Sequence, residues 1–217
     1  MRLTKHAHAT VALADGERSL LIDPGTFTSN SAELIAAATA ILITHDHPDH
    51  FDPSVIATAL LARPELRVWA PASLAENHAE FAAGTELAGR ITAVAPGDSI
   101  TANGFEVRAV GGEHAVIHRD LPSLSNVGYV INGDVYHPGD AYFVPEIPVE
   151  TLLAPTSGPW TKLTDLVDFI RAVAPKRTVQ IHDLMLSDLG RGSFARFTKG
   201  LTGQELLTLA PGESLEL

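Results

Sequence analysis

The sequence predicts an α/β fold in which two mixed β-sheets pack face to face with helices outside. Three observations carry this. Across the 217 residues the order runs strands, helix, strand, helix, and the same order then recurs, giving two similar halves. The strand-like runs are short and rich in apolar and β-branched residues, as in A-I-L-I-T at 40–44, the pattern of strands covered on both faces. Hydrophobic residues make up 45% and charged residues 19%, so a chain of this length can bury a full core as one domain over residues 1–217.

The first half opens on a hairpin. Residues 10–13 and 19–22 are apolar-rich runs on either side of the turn dipeptide Asp15-Gly16, and the second run stops at Asp23-Pro24-Gly25. A helix is expected over 32–38, then the strand 40–44. Asp52 followed by Pro53 reads as an N-cap with proline in the first helical position, so a helix should run from 53 to about 61. A strand at 68–70 and a helix at 73–83 complete this half. From 91 to 110 the pattern changes to short strands with turns at Pro96-Gly97 and Asn103-Gly104. The second half has a hairpin of 126–131 and 135–137 across Asn132-Gly133-Asp134, a strand at 151–154, a helix at 163–173 and a strand at 178–181 that ends at His182. Residues 184–201 are partly helical in pattern, interrupted by Gly190 and Gly192.

Composition narrows the function. The formal net charge of -11, from 26 acidic and 15 basic residues, disfavours the phosphate backbone of a nucleic acid and leaves a small molecule as the expected substrate. There is no cysteine, which removes disulfides and thiolate metal sites and agrees with a cytoplasmic location. The first residues lack the apolar core of a signal peptide, and no apolar run reaches the length of a membrane span. The oligomeric state is open.

The chemistry concentrates in T-H-D-H-P-D-H at 44–50, where three histidines and two aspartates follow a buried strand directly. Pro48 stiffens the turn. His45 and His47 can face one metal while Asp49 and His50 turn toward a second. Imidazole and carboxylate together form a ligand set suited to zinc, manganese or iron(II).

This run resembles the signature H-x-H-x-D-H of the metallo-β-lactamase superfamily, matched at His45, His47, Asp49 and His50. The resemblance extends along the chain and implies a four-layer αββα sandwich. Asp23 in L-I-D-P-G fits the aspartate that supports the metal loop. His114 in G-E-H, Asp140 in H-P-G-D and His182 in V-Q-I-H fit the later ligands. The implied site has His45, His47 and His114 on one divalent cation, Asp49, His50 and His182 on another, and Asp140 bridging them, with zinc as the expected metal and manganese or iron as alternatives. His114 is preferred to His118 because Gly111-Gly112 favours a loop there. Asp140 is preferred to the turn residue Asp134, and His182 to its neighbour Asp183 for its strand-end position.

A finer resemblance is to the branch of metal-dependent hydrolases that contains L-ascorbate-6-phosphate lactonase. That branch opens with a Gly-His-Ala or Gly-His-Ser step, and here Ala7 precedes His8-Ala9. The implied reaction is hydrolysis of an ester, lactone or phosphodiester by a hydroxide held between two cations. Asp49 would orient that nucleophile, and His118, Lys162 and His182 are the candidates for assisting the leaving group. Relatives that reduce oxygen on iron usually carry glutamate where His47 stands. Nuclease relatives usually carry an inserted domain for which this chain has no room. Among the other histidines, His8 is a candidate for supporting a ligand or the Asp23 loop. His78 is expected to be exposed on a helix, and His6 and His137 to be structural. Trp160 is expected either to line the pocket or to pack at a helix start.

Overall fold

A computed structural model describes residues 1–217. The strands are β1 (Arg2–Lys5), β2 (Val11–Asp15), β3 (Arg18–Ile22), β4 (Ala40–Leu42), β5 (Arg67–Pro71), β6 (Ile91–Val94), β7 (Ser99–Ala102), β8 (Phe105–Glu113), β9 (Ser125–Ile131), β10 (Val135–His137), β11 (Thr151–Pro155), β12 (Arg177–Ile181), β13 (Leu206–Leu207) and β14 (Ser214–Glu216). The helices are α1 (Ser31–Ala37), α2 (Pro53–Ala62), α3 (Ala72–Asn77), α4 (Leu163–Val173) and α5 (Asp188–Thr202).

The strands form two seven-stranded sheets, in the orders β14-β1-β2-β3-β4-β5-β6 and β13-β12-β11-β10-β9-β8-β7. Both are mixed. The first is antiparallel from β14 to β3 and parallel from β3 to β6. The second is antiparallel from β7 to β10 and parallel from β10 to β13. Leu13, Leu20, Ile22 and Leu42 of the first sheet pack against Phe105, Tyr129, Leu153, Val179 and Ile181 of the second, so the main core lies between the sheets. Ile41, Ile43 and Val68 on the outer face of the first sheet are covered by Ile35, Ile56, Leu60 and Leu74 from α1, α2 and α3. Val130, Tyr136, Leu152 and Ala154 on the outer face of the second are covered by Leu166, Phe169 and Ile170 of α4, with Phe194 and Ala195 of α5 beside them. The result is a four-layer αββα sandwich.

Local chemistry explains the helix boundaries. Asp52 caps α2, its carboxylate accepting the amides of Ser54 (3.1 Å) and Val55 (3.2 Å). Ala174 ends α4 in the left-handed conformation, with Pro175 next. The Ser187 hydroxyl accepts the Gly190 amide and starts a regular α5 despite its three glycines. The helix expected over 73–83 is shorter: α3 stops at Asn77, His78 is extended, and a 3-10 turn follows at Ala79–Phe81. The break lets Asn77 and His78 both reach the Asp46 carboxylate.

Strands β1, β13 and β14 carry no clear strand pattern in the sequence. β14 pairs with β1 at the sheet edge, Arg2 opposite Glu216. At the other end of β1, the buried Lys5 ammonium donates to both carboxylate oxygens of buried Asp183, at 2.8 and 2.9 Å.

The ends of β1, β3, β4, β8, β10, β11 and β12 open onto one edge of the sandwich. That edge brings His8, Asp23, His45, His114, Asp140, Ser157 and His182 together in space.

Candidate metal centre

Three of the six non-glycine residues with positive φ are His8 (57°), Asp23 (51°) and His182 (50°). The others are Asn103, Asn132 and the helix-end Ala174, positions where a turn explains the conformation. Unfavourable backbone geometry therefore concentrates on this edge, as it does at functional sites. Gly25 serves the same packing. A Cβ there would overlap the Asp49 carbonyl and the His50 amide nitrogen, so only glycine lets the Asp23 turn lie against the 45–50 loop.

Two groups of donor atoms form within this edge. His45, His47, His114 and Asp140 make one, and Asp49, His50, His182 and His8 make the other. Asp140 also links to the second group. Its Oδ1 lies 3.1 Å from His50 Nε2, and its Oδ2 lies 3.1 Å from His182 Nε2, 3.4 Å from His114 Nε2 and 3.8 Å from His45 Nε2. His45 Nε2 and His47 Nδ1 are 3.0 Å apart, and Asp49 Oδ2 is 3.3 Å from His182 Nε2 and 3.7 Å from His50 Nε2. Donors arranged tetrahedrally around a cation at ~2.0–2.1 Å lie about 3.3 Å from one another. The spacing fits.

The hydrogen-bond ledger points the same way. The buried atoms His50 Nε2, His114 Nε2, His182 Nε2 and Asp140 Oδ1 have no hydrogen-bond partner. Four such atoms converging on one small volume call for a cation, because each is otherwise a costly orphan.

The opposite ring nitrogens are all engaged. His50 Nδ1 donates to Asp23 Oδ2 (2.7 Å), His114 Nδ1 to the Ala115 carbonyl (2.5 Å) and His182 Nδ1 to the Ser157 carbonyl (2.6 Å). The Thr44 hydroxyl donates to Asp23 Oδ2 (2.7 Å), which leaves its oxygen to accept from His45 Nδ1 (3.0 Å). In each of these four rings the Nε2 lone pair is thereby turned inward, the arrangement that orients imidazole for a metal.

His8 is fully buried and its role follows from its tautomer. Nδ1 accepts the Leu184 amide (3.3 Å), so in the neutral ring the proton sits on Nε2 and is donated to Asp49 Oδ2 (3.0 Å). Burial keeps His8 neutral despite the Asp49 carboxylate. The ring packs against that of His182 with centroids 3.8 Å apart and planes tilted by 45°. His8 thus holds Asp49 in place, and serving as a ligand itself would require it to lose that proton. His8→Ala is expected to lower metal affinity or turnover by about 10–100-fold while leaving the fold intact. Metal titration against a chromogenic chelator, alongside circular dichroism, checks this.

Charge in the site is unbalanced without cations. Burial works against charge on His182, but Asp140 and Asp49 outweigh it and raise the imidazolium to about 9. The same contest, decided by Asp140 and Asp23, holds His50 well above its ordinary value. Burial and neighbouring His50 push His45 well below the usual imidazole range. Burial opposes ionisation of Asp140, yet His50 and His182 hold it well below the usual carboxylate range. Protons on His50 and His182 therefore stand where cations would. Zinc binding at pH 7 should expel about two protons, and apparent affinity should rise with pH through about 9, where His182 gives up its proton. Calorimetry in two buffers of different ionisation enthalpy reads this out. Affinity that does not change with pH would contradict it.

The other expected residues are placed as follows. His118 is exposed on the loop after His114, its Nδ1 accepting the Asp120 amide (3.2 Å) and its Nε2 uncommitted. Lys162 is exposed at the start of α4, and its ammonium makes no hydrogen bond or ion pair. His78, expected to be exposed, is instead partly buried against Phe51 and bonded to Asp46, because the chain turns inward after α3. His137 is buried and bonded to the Ala9 carbonyl (2.9 Å). Trp160 is the residue the sequence undervalued. Its indole N–H reaches Asp140 Oδ2 (3.2 Å), and its ring lies against His114 and His182.

Residues 2–182 match the family model described as a beta-lactamase superfamily domain. Protein Rv0786c of Mycobacterium tuberculosis is 39% identical over 199 residues, covering 89% of this chain and 89% of the relative. The UPF0173 metal-dependent hydrolase TV0864 of Thermoplasma volcanium is 26% identical over 178 residues, covering 76% of this chain and 75% of the relative. The solved structure of the metallo-beta-lactamase fold protein YhfI from Bacillus subtilis superposes with a TM-score of 0.76 at 13% identity, covering 100% of this chain and 98% of that one.

Proposed function

Because the chain belongs to the family of the beta-lactamase superfamily domain, we propose that it is a metal-dependent hydrolase acting on an ester, lactone or phosphodiester bond of a small molecule. The observation that carries this reading is the set of unpartnered buried atoms His50 Nε2, His114 Nε2, His182 Nε2 and Asp140 Oδ1, all turned into one site. His45, His47 and His114 would hold one divalent cation, Asp49, His50 and His182 another, and Asp140 would stand between them. Zinc suits seven nitrogen and oxygen donors, as do manganese and iron. Two bound cations supply an acidified water as nucleophile and a Lewis acid for the substrate oxygen.

The protein's own groups do the rest. Asp49 Oδ2 is tied to His8 (3.0 Å) and lies near His182, so its other oxygen is free to orient the nucleophile and take its proton. Trp160 keeps Asp140 from rotating. Buried walls exclude bulk water, which strengthens each of these contacts. His118, through its uncommitted Nε2, is our candidate for protonating the leaving group, with Lys162 as a second cation at the rim. The finer likeness to the branch containing L-ascorbate-6-phosphate lactonase makes a cyclic ester one candidate substrate. The acidic surface disfavours nucleic acid. No helix is long and apolar enough to cross a membrane, and the lack of cysteine agrees with a cytoplasmic site of action.

The test is a screen of zinc-, manganese- and iron-loaded protein against chromogenic esters, lactones and phosphodiesters. Turnover of one class, lost by at least about 100-fold in Asp49→Ala, is the expected result. No turnover with any metal in any class would remove the hydrolase reading.

A further inference from the structure

Beside the His45, His47, His114 and Asp140 group lies a cavity of about 540 Å³, walled by His47, His114 and the loop of residues 115–124. That volume is within the ~300–1,000 Å³ range of small-molecule sites. Three large apolar side chains on this one loop stand open to solvent: Val116 (76% exposed), Leu121 (55%) and Leu124 (38%). Exposed apolar residues are ordinary when scattered, but three around one cavity next to a candidate catalytic centre are not. The loop is pinned where it leaves the site. The His114 amide donates to the Leu124 carbonyl (2.9 Å), the Ala115 amide to the Asp140 carbonyl (2.8 Å) and the Leu121 amide to the His118 carbonyl (3.0 Å). Its charged side chains, Arg119 and Asp120, lie 3.7 Å apart and are largely solvated, with His118 Nδ1 also 3.5 Å from the Asp120 carboxylate. No desolvated charge is left to hold an ionic group.

The opposite side of the site is different. A second cavity of about 540 Å³, reaching His8, is lined by Lys5, Asp183, Asp188, Arg191 and Glu213. The two approaches to the centre thus differ in polarity.

Resting on the hydrolase reading, we propose that the cavity under residues 115–124 is a subsite for an uncharged hydrocarbon or aryl arm of the substrate, placing the scissile group beside His47 and His114. Substrates bearing such an arm are then preferred over short ones, because each methylene buried there is worth about fourfold in affinity.

The experiment is calorimetric titration of methyl-, butyl- and hexylphosphonate into zinc-loaded protein, which reads binding without turnover. Affinity should climb on the order of fifty-fold from methyl- to butylphosphonate. In the double variant Val116→Ser/Leu121→Ser, at two exposed positions outside the donor groups, the climb should flatten while methylphosphonate binds as before. A flat series in the unaltered protein, no binding by any member, or an undiminished climb in the variant overturns the subsite. A parallel series of 4-nitrophenyl alkanoates separates the two readings. A steep phosphonate series with no alkanoate cleaved supports the subsite and counts against ester hydrolysis. Alkanoates cleaved at rates independent of chain length, with a flat phosphonate series, support hydrolysis and remove the subsite.

Discussion

Asp140→Asn should bind one equivalent of metal fewer than the unaltered protein and lose on the order of 10³-fold in turnover. The carboxylate stands at the meeting of both donor groups, with Oδ2 facing His45, His114 and His182 and Oδ1 facing His50. The carboxamide has nearly the same shape but replaces one acceptor oxygen with an N–H donor aimed at imidazole lone pairs. It also removes a negative charge that would offset two divalent cations. The fold should survive, because Asp140 is held by its backbone: its amide donates to Asn126 Oδ1 (2.9 Å), and its carbonyl accepts from Ala115 (2.8 Å). Elemental analysis gives the stoichiometry, and turnover of whichever substrate the screen identifies gives the rate. A variant that still holds two equivalents and turns over normally would show that Asp140 does not bridge.

Stripping metal from the protein should lower its melting temperature by on the order of 10 °C per cation lost. A ligand present at a thousand times its dissociation constant stabilises the folded state by about 4 kcal/mol. In a chain of 150–250 residues each kcal/mol moves the midpoint by roughly 2–4 °C. The donors make this a clamp as well as a site. His45, His47, Asp49 and His50 follow a strand of the first sheet, whereas His114, Asp140 and His182 follow strands of the second. Each cation would therefore tie one sheet to the other across the top of the sandwich. Thermal scans before and after dialysis against a chelator, with re-addition of zinc, measure the effect. An unchanged midpoint would mean that the donors hold no structural cation.

Much of this was legible in the chain. The 45–50 loop announces itself because its donors are neighbours in sequence and follow a buried strand. His114, Asp140 and His182 entered through the resemblance to the metallo-β-lactamase superfamily, and of these only His182 also had a local cue, its place at the end of an apolar strand. The hairpins at Asp15-Gly16 and Asn132-Gly133 and helix α4 were predicted from turn dipeptides and periodicity, and the structure has them. What escaped was contact between distant segments. β1 is only four residues long, and although it pairs with β2 on one side, its other neighbour, β14, lies at the far end of the chain. β13 has two residues and no pattern of its own. Asn77 and His78 end a helix that propensity would continue, because Asp46, some thirty residues earlier, offers them a better partner. Trp160 looked equally suited to two roles, since nothing in P-W-T-K shows that an indole N–H would meet Asp140.

The edge pairing of Arg2 with Glu216 bears on how the molecule forms. The sheet that carries the 45–50 loop closes only when residues from opposite ends of the polypeptide meet. Lys5 likewise waits for Asp183 before its ammonium can leave water. Such remote partners make for high contact order and slow refolding, since chain entropy is lost long before these contacts repay it. While that search proceeds, the three strands nearest the amino terminus present a bare edge to other molecules in solution.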